Sequence, residues 1–421
     1  MQGSSKGKSK LANNGNETDK SLSESKLIYT SIRKFDIWLS NNGYYSYDRM
    51  DYWSSKTGVL AKKIFYKNKY LGIPLALWGL VLENFLPSIQ KFYAKPHREI
   101  IGDAHFASAY LNLFENTNDK KYLVKAEKLF DEMLRYRSKD YSNLSWGYNF
   151  GWQTQHGFWD IGVPLITITP YAFWAFRKHY EITNNISSYK YAISIADFAL
   201  EDLNDNKMPN GTFCASYSPR SKDIVINANS YRSALLLEAY KISKDIKYKI
   251  TAERNIEFIL SYQGKEGEFY YEAKGPQNNF IDNFHTCFVL RNLTRCYYVN
   301  YDQNLLNSIK KGYKYYSKNL FHGNGRPKHF SVAKYAKLRR YEMYDYAEGI
   351  ILGVLLKDVI PEAYDKAKWL AIDLIDNFQL SSGYFVTRVT SLGTKHKIPY
   401  LRWPQAQIFY AMTLLLRELE A

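Results

Sequence analysis

The sequence predicts an all-α protein: an (α/α)6 toroid of six helical hairpins, with short strand-like loops at one mouth. Three observations lead there. A pattern of two amphipathic helices returns about every 55–65 residues. The first and last helices have no sequential partner, so pairing them closes a ring, where an open solenoid would need polar caps. The links between hairpins are long and aromatic, whereas the turns within them are short and polar.

The first twenty residues, "MQGSSKGKSKLANNGNETDK", are polar and basic, lack the apolar run of a secretory signal, and read as a disordered tail. Residues 21–421 read as one domain. Its first helix, 22–40, carries Ile28, Ile32, Phe35 and Leu39 on one stripe, with Ser21 and Glu24 as a capping box. The first hairpin joins 103–118, with Ala107, Tyr110, Leu111 and Phe114 at helical spacing, to 120–137, where Leu123, Ala126, Phe130 and Met133 share a face. Further copies occupy 169–203, 227–262, 282–321 and 344–378, and a last helix, 402–419, returns to the first. The links "GTFCASYS" (211–218), "GEFYYEA" (267–273) and "GYFVTRV" (383–389) each open Gly-x-Phe and run extended, echoed by "GFW" at 157–159. Loops of this length in a compact domain usually carry function, and in a ring they surround one mouth.

The formal charge is +16, and the tail's four lysines are half offset by Glu17 and Asp19, so the excess belongs to the folded body. A field of that sign favours an acidic glycan or an anionic membrane face. The basic residues are spread along the chain without a nucleic-acid motif, so nucleic acid is not an expected partner. Cys214, Cys287 and Cys296 form neither a CxxC pair nor a disulfide framework, which fits a reducing cytoplasm. The apolar stretch "LGIPLALWGLVLENFLPSI" (71–89) falls short of the ~20 residues of a membrane span. It reads first as buried core. Its basic flanks offer a second reading, peripheral contact with an anionic leaflet at the inner membrane face.

The candidate site starts from 146–160, "WGYNFGWQTQHGFWD", where six of fifteen side chains are aromatic. Trp146, Tyr148, Trp152 and Trp159 suit stacking on sugar rings, and Asn149, Gln153 and His156 suit directional hydrogen bonds; some of the rings are expected only to plug the toroid. Asp282 and His285, in "IDNFHT", share a helix face three residues apart and are the strongest acid–base candidates. The competing reading is that Asp282 caps the helix and His285 is a core histidine. Asp345 with Glu348, in "YDYAEG", repeats the spacing, and a capping box explains it equally well. Arg220 beside Tyr217 in "SYSPRSK", Arg388 in "GYFVTRV" and Arg402 in "YLRWPQ" would grip carboxylates bidentately; the competing reading for Arg402 is a buried pair with one of the aspartates. His329, Trp403 and Gln405 join the lining, and Tyr400 is a proton carrier if a neighbouring Arg lowers its pKa. Asn227 and Asn229, in "NANS", serve as cap and ligand contact in either order. His97, His105, His179 and His322 read as ordinary. There is no HExxH, GxSxG or phosphate-binding glycine loop, so no metal, serine nucleophile, nucleotide or cofactor is expected.

The phrases "WGYNFGWQ", "SYSP", "NFHT", "RPKHF" and "IPYLRWPQAQIFYA" resemble a family of α/α-toroid proteins encoded in bacterial and archaeal surface-polysaccharide gene clusters. The likeness runs from around Tyr45 to the C-terminus. More distantly, the chain is similar to unsaturated-uronyl hydrolases, polysaccharide lyases and uronyl or N-acylglucosamine epimerases. The resemblance implies acid–base processing of an acidic polysaccharide or its lipid-linked precursor, with an Asp near an inner-helix start as proton donor. Asp282 and Asp345 both map onto that role. A toroid hosts several chemistries, so two rivals stand: a non-catalytic glycan-binding or assembly factor, and an isoprenoid-binding toroid, which lacks the expected DDxxD or DxDD motif. Oligomeric state is not legible.

Overall fold

A computed structural model describes residues 7–154, 157–333 and 339–421. In chain order its helices are α1 (Gly7–Asn42), α2 (Asp51–Ser54), α3 (Lys56–Lys67), α4 (Lys69–Phe85), α5 (Ile100–Thr117), α6 (Lys120–Arg135), α7 (Thr169–Thr183), α8 (Ile186–Asp197), α9 (Ile226–Ser243), α10 (Ile246–Ser261), α11 (Asn283–Asn300), α12 (Gln303–Asn319), α13 (Met343–Leu355), α14 (Pro361–Phe378) and α15 (Ala406–Glu420). The odd-numbered helices from α5 to α15 form an inner ring, each against the next, with α15 closing onto α5. Such a helix has no solvent face. Every residue of α9 from Ile226 to Ala239 is buried, whereas outer α6 buries only the stripe Tyr122, Ala126, Leu129, Phe130 and Met133. Helix α1 completes the outer layer against α15 and α14. The Phe35 ring packs 5.0 Å from that of Phe409, and the Ser25 hydroxyl donates to Glu420. Helix α1 runs from Gly7, and the expected capping box of Ser21 with Glu24 falls on a side chain outside those described.

Four of the five turns within hairpins follow one scheme, the exception being the turn between α13 and α14. Asn118, Asn184, Lys244 and Tyr301 end inner helices in the left-handed region, with φ of 53, 56, 63 and 53°. The next residues, Asp119, Asn185, Asp245 and Asp302, each accept a backbone N–H at the start of the outer helix. At the opposite end, the Gly-x-Phe mark is a backbone requirement. Gly267 and Gly383 have φ of +103 and +109°, and a Cβ there would sit 2.3 Å from the Lys311 carbonyl oxygen and 2.4 Å from that of Lys34.

The links carry short antiparallel strands: β1 (Trp152–Thr154) with β2 (Gly157–Trp159), β3 (Asp205–Lys207) with β4 (Phe213–Ala215), β5 (Ile281–Asp282) with β6 (Phe330–Val332), and β7 (Arg339–Glu342) with β8 (Arg388–Thr390) and β9 (Lys395–His396). The link 267–273 contributes only a bridge between Glu272 and Val225. Because these links lead into inner helices, the N-termini of α5, α7, α9, α11, α13 and α15 all face the decorated mouth.

The helices α2–α4 form an insertion outside the repeat. The first reading of 71–89, a core segment, is corrected here: Leu71 is 67% exposed and Trp78 55%. Gly72 and Gly79, seven apart, turn one thin edge of α4 inward. A Cβ at either would lie 2.1 Å from Phe65 or from the Tyr52 ring. Among the described residues no helix is long and apolar enough to cross a membrane.

Candidate active site at the toroid mouth

The inner-helix starts and the links above them enclose a cavity lined by Tyr148, Tyr217, Asn227, Phe284, His285, Phe288, Tyr344, Arg402, Trp403 and Gln407, among others. Rings form much of its wall. Phe284 lies 5.4 Å from Trp403 and Trp403 4.8 Å from Tyr344. Tyr148, Trp152, Trp159 and Tyr217 follow one another at 5.9, 6.1 and 6.2 Å. The free volume is about 80 Å³, room for a few waters, so a pyranose would rest at the opening with one edge inserted.

Asp282 ends β5 and caps α11, accepting the His285 backbone N–H at 3.1 Å. The same carboxylate holds the His285 ring, whose Nδ1 lies 2.9 and 2.8 Å from its two oxygens. One carboxylate thus serves the helix cap and the ring together. A carboxylate on Nδ1 fixes the tautomer with the proton there, and Nε2 has no protein partner among the described residues. Phe284, Tyr271 and Phe288 pack around the ring at 4.1, 4.7 and 5.6 Å.

Asp345, in the first turn of α13, is fully buried, and its Oδ2 meets His329 Nδ1 at 2.8 Å. His329, expected as a lining residue, is thus the partner in a second Asp–His pair behind Phe284, 5.8 Å from its ring. Burial lifts the Asp345 carboxyl to about 6 against the pull of His329. The native state then keeps a proton that the unfolded chain has released, so between about pH 4 and 6 this group's contribution to stability falls as pH rises. Asp345→Asn is expected to remove that slope. Urea midpoints of the two proteins across that range provide the check, and equal slopes would contradict it.

Three buried polar atoms at the cavity lack a protein partner among the described residues: Asn227 Oδ1, Gln407 Oε1 and Trp403 Nε1. Two acceptors and a donor suit a ligand rich in hydroxyl groups, since each buried unpaired group carries a desolvation cost that a ligand can offset. Of the two asparagines of "NANS", Asn227 borders the cavity. Asn229 is structural, accepting the Ala215 N–H at 2.7 Å and donating to the Val225 carbonyl.

Several expected site residues are framework. Trp146 is fully buried, and its indole donates to the Met133 carbonyl. Gln153 turns to the Thr154 carbonyl, Asn149 to that of Arg98, and Gln405 to the backbone of Phe385. His156 lies outside the described residues. Arg402 does not offer its fork to a ligand: Nε and Nη2 each meet Asp48 at 2.6 Å. Its guanidinium also covers Tyr148 and Trp403, at 5.1 and 5.3 Å, so it fixes the wall. Arg388 is buried against Glu83 and Asn84. Tyr400 donates to Gln90, and burial pushes its phenol up, opposite to the lowering by arginine that proton carriage required. Arg220 alone stays at the rim, 55% exposed and 3.9 Å from Asp160.

The sequence reading missed two charge clusters. His97, read as ordinary, lies 3.0 Å from Asp51 and 3.1 Å from Glu99. Burial opposes its charge, but the two carboxylates prevail and raise it to about 10. Deeper on the axis, Arg291 meets Glu348 at 2.5 Å and the hydroxyls of Tyr171 and Tyr231 at 2.6 and 2.7 Å. A charged floor is the opposite of what an isoprenoid pocket needs. Its signal was present: Phe284, Phe288 and Arg291 fall on one face of α11, and an arginine on an inward face demands a buried partner.

Solved structures share this architecture. A cellobiose 2-epimerase from Spirochaeta thermophila DSM 6192 aligns with a TM-score of 0.58 at 12% identity, over 77% of this chain and 86% of that one. The fold is an α/α toroid. A GH76 α-mannanase from Bacteroides thetaiotaomicron gives 0.58 at 11% identity over 78% and 88%. An unsaturated glucuronyl hydrolase from Bacillus sp. GL1, responsible for glycosaminoglycan degradation, gives 0.53 at 14% over 76% and 86%. At these identities the likeness establishes the fold alone. No family model matches the chain, and no curated protein does.

Proposed function

We propose that this protein is a carbohydrate-active enzyme acting by acid–base chemistry on an acidic, uronate-bearing surface polysaccharide or its lipid-linked precursor. One observation carries the reading: His285 is held by Asp282 on one nitrogen, while the other has no protein partner among the described residues and the ring borders an aromatic cavity with polar atoms unpaired among those residues. In that tautomer Nε2 accepts a proton from a sugar carbon or a water, and the Asp282 carboxylate stabilises the imidazolium that forms. A carbanion reprotonated from the opposite face by water gives epimerisation; one that expels the glycosidic oxygen, which takes up the proton, gives β-elimination; and a deprotonated water that attacks the anomeric carbon, as the leaving oxygen takes up the proton, gives hydrolysis. Trp152, Trp159, Tyr148 and Tyr217 provide the sugar platform, and Trp403, Asn227 and Gln407 hydrogen-bond its hydroxyls.

The acidic character rests on charge. The chain carries +16, Arg220 is exposed at the rim, and six inner-helix N-termini point at the mouth. Three free, buried cysteines fit a cytoplasmic setting. Solved neighbours named as an epimerase, a hydrolase and a lyase span the three outcomes above. The rival reading, a holder without chemistry, draws on the fact that Asp282 also caps α11.

Titration with an oligouronate and with its carboxyl-reduced counterpart tests the substrate class. The acidic form is expected to bind more tightly, and Trp152→Ala to weaken it by roughly five- to thirty-fold, a hot-spot loss of about 1–2 kcal/mol. Equal affinity for the reduced glycan would remove the uronate from the proposal.

A further inference from the structure

Residues 52–98 hold seven lysines and one arginine against a single acid, Glu83, and Glu83 is buried. Six of those lysines are exposed. Within this basic frame α4 turns its apolar side outward: Tyr70 is 88% exposed, Leu71 67%, Leu77 54% and Trp78 55%, and Phe92 just beyond is 78% exposed. Isolated exposed leucines are ordinary, but a contiguous apolar helix face is an interaction surface. The glycine edge of Gly72 and Gly79 explains why these side chains stay outside: it holds α4 close to α2 and α3 and leaves the leucines on the free side.

We propose that the α3–α4 hairpin docks the protein on an anionic lipid bilayer, with the apolar side of α4 in the headgroup–acyl boundary and the lysines on lipid phosphates. Charge selects this occupant. A second copy of the chain would set two +16 surfaces, lysine frame against lysine frame, in contact. An anionic leaflet neutralises the frame and accepts the leucines together. Helix α4 has 17 residues and is interrupted by Pro74, so it lies on the bilayer and does not span it. Tyr70 and Trp78 are the ring types that settle at headgroup depth.

The hairpin is also tied to the mouth. Helices α2 and α3 pack against β1, Lys62 Nζ lies 5.8 Å from the Trp152 ring, and Glu83 of α4 holds both Trp53 and Arg388. Docking therefore brings the sugar platform to the membrane surface. Resting on the function proposed above, this selects the lipid-linked form of the glycan as substrate.

The test is flotation of the full-length protein with vesicles of phosphatidylcholine containing about a third phosphatidylglycerol, and with phosphatidylcholine alone. Binding is expected to the anionic vesicles only and to fall in high salt. Lys63→Glu and Lys67→Glu should each lower the partition coefficient about fivefold or more, and Leu77→Glu with Trp78→Glu should abolish it. Titration with a soluble oligouronate, unchanged in the Leu77→Glu, Trp78→Glu protein, shows that the fold and site survive. It also separates failure of the docking proposal from failure of the glycan proposal. Three outcomes would overturn docking: no flotation, flotation unaffected by the paired substitution, or a wild-type dimer that this substitution dissociates without any vesicle binding.

Discussion

Replacing Asp282 by Asn is expected to cut turnover by about 10³–10⁴-fold while leaving glycan affinity and thermal stability close to wild type. The separation follows from the two jobs of one side chain. As a cap, Asp282 accepts the His285 backbone N–H at 3.1 Å, and Asn is as good an N-cap as Asp, so α11 still starts at the same place. As partner to the ring, only the carboxylate both fixes the proton on Nδ1 and stabilises the charged imidazole. An amide can present its NH2 to Nδ1, leaving Nε2 protonated and unable to act as a base. Steady-state rates, a binding isotherm and a melting curve on the same preparation read out the three quantities. A large loss of stability with unchanged specific activity would assign Asp282 to the framework alone.

Arg402→Met is expected to destabilise the fold by about 3–5 kcal/mol, because it leaves the Asp48 carboxylate buried without its partner. Asp48 is 2% exposed and Arg402 4%, and their two contacts are 2.6 Å each. The Arg402 charge outweighs burial and holds the Asp48 carboxyl below its usual range. Adding Asp48→Leu to Arg402→Met removes the stranded charge, and much of the lost stability should return. Urea unfolding of the two single variants and the double variant measures this. An Arg402→Met protein as stable as wild type, with weakened oligouronate binding, would restore the arginine to the role of carboxylate clamp.

The hairpin repeat was legible because its signals are local. The helical apolar stripes, the short polar turns and the Gly-x-Phe links each lie within a few residues, and Gly267 and Gly383 turn out to be sterically obligatory. Asp282 with His285 was legible for the same reason, being one helical turn apart. What failed was what the chain assembles from afar. Asp48 and Arg402 are 354 residues apart, Glu83 and Arg388 are 305 apart, and His329 reaches Asp345 from another link. An arginine read alone is a free cation, and only the fold shows which carboxylate already holds it. The aromatic segment divides in the same way. Trp146 and Trp152 belong to one run of sequence, yet Trp146 is sealed under the link and Trp152 is half-buried, edge-on to Tyr148. The α4 leucines mislead for a related reason: an apolar run says that a face seeks a non-aqueous partner, but not that the partner is the protein's own core.

The central claim is that the Asp282–His285 pair moves a proton on a sugar. It is tested most directly by proton NMR in D₂O of an acidic oligosaccharide incubated with the protein, with Asp282→Asn in parallel. A chemical change is expected with the wild type alone: loss of one ring proton to deuterium, appearance of alkene protons, or new reducing-end signals. Resonances that broaden on binding to both proteins, with no proton lost or gained, would contradict it and leave a glycan holder.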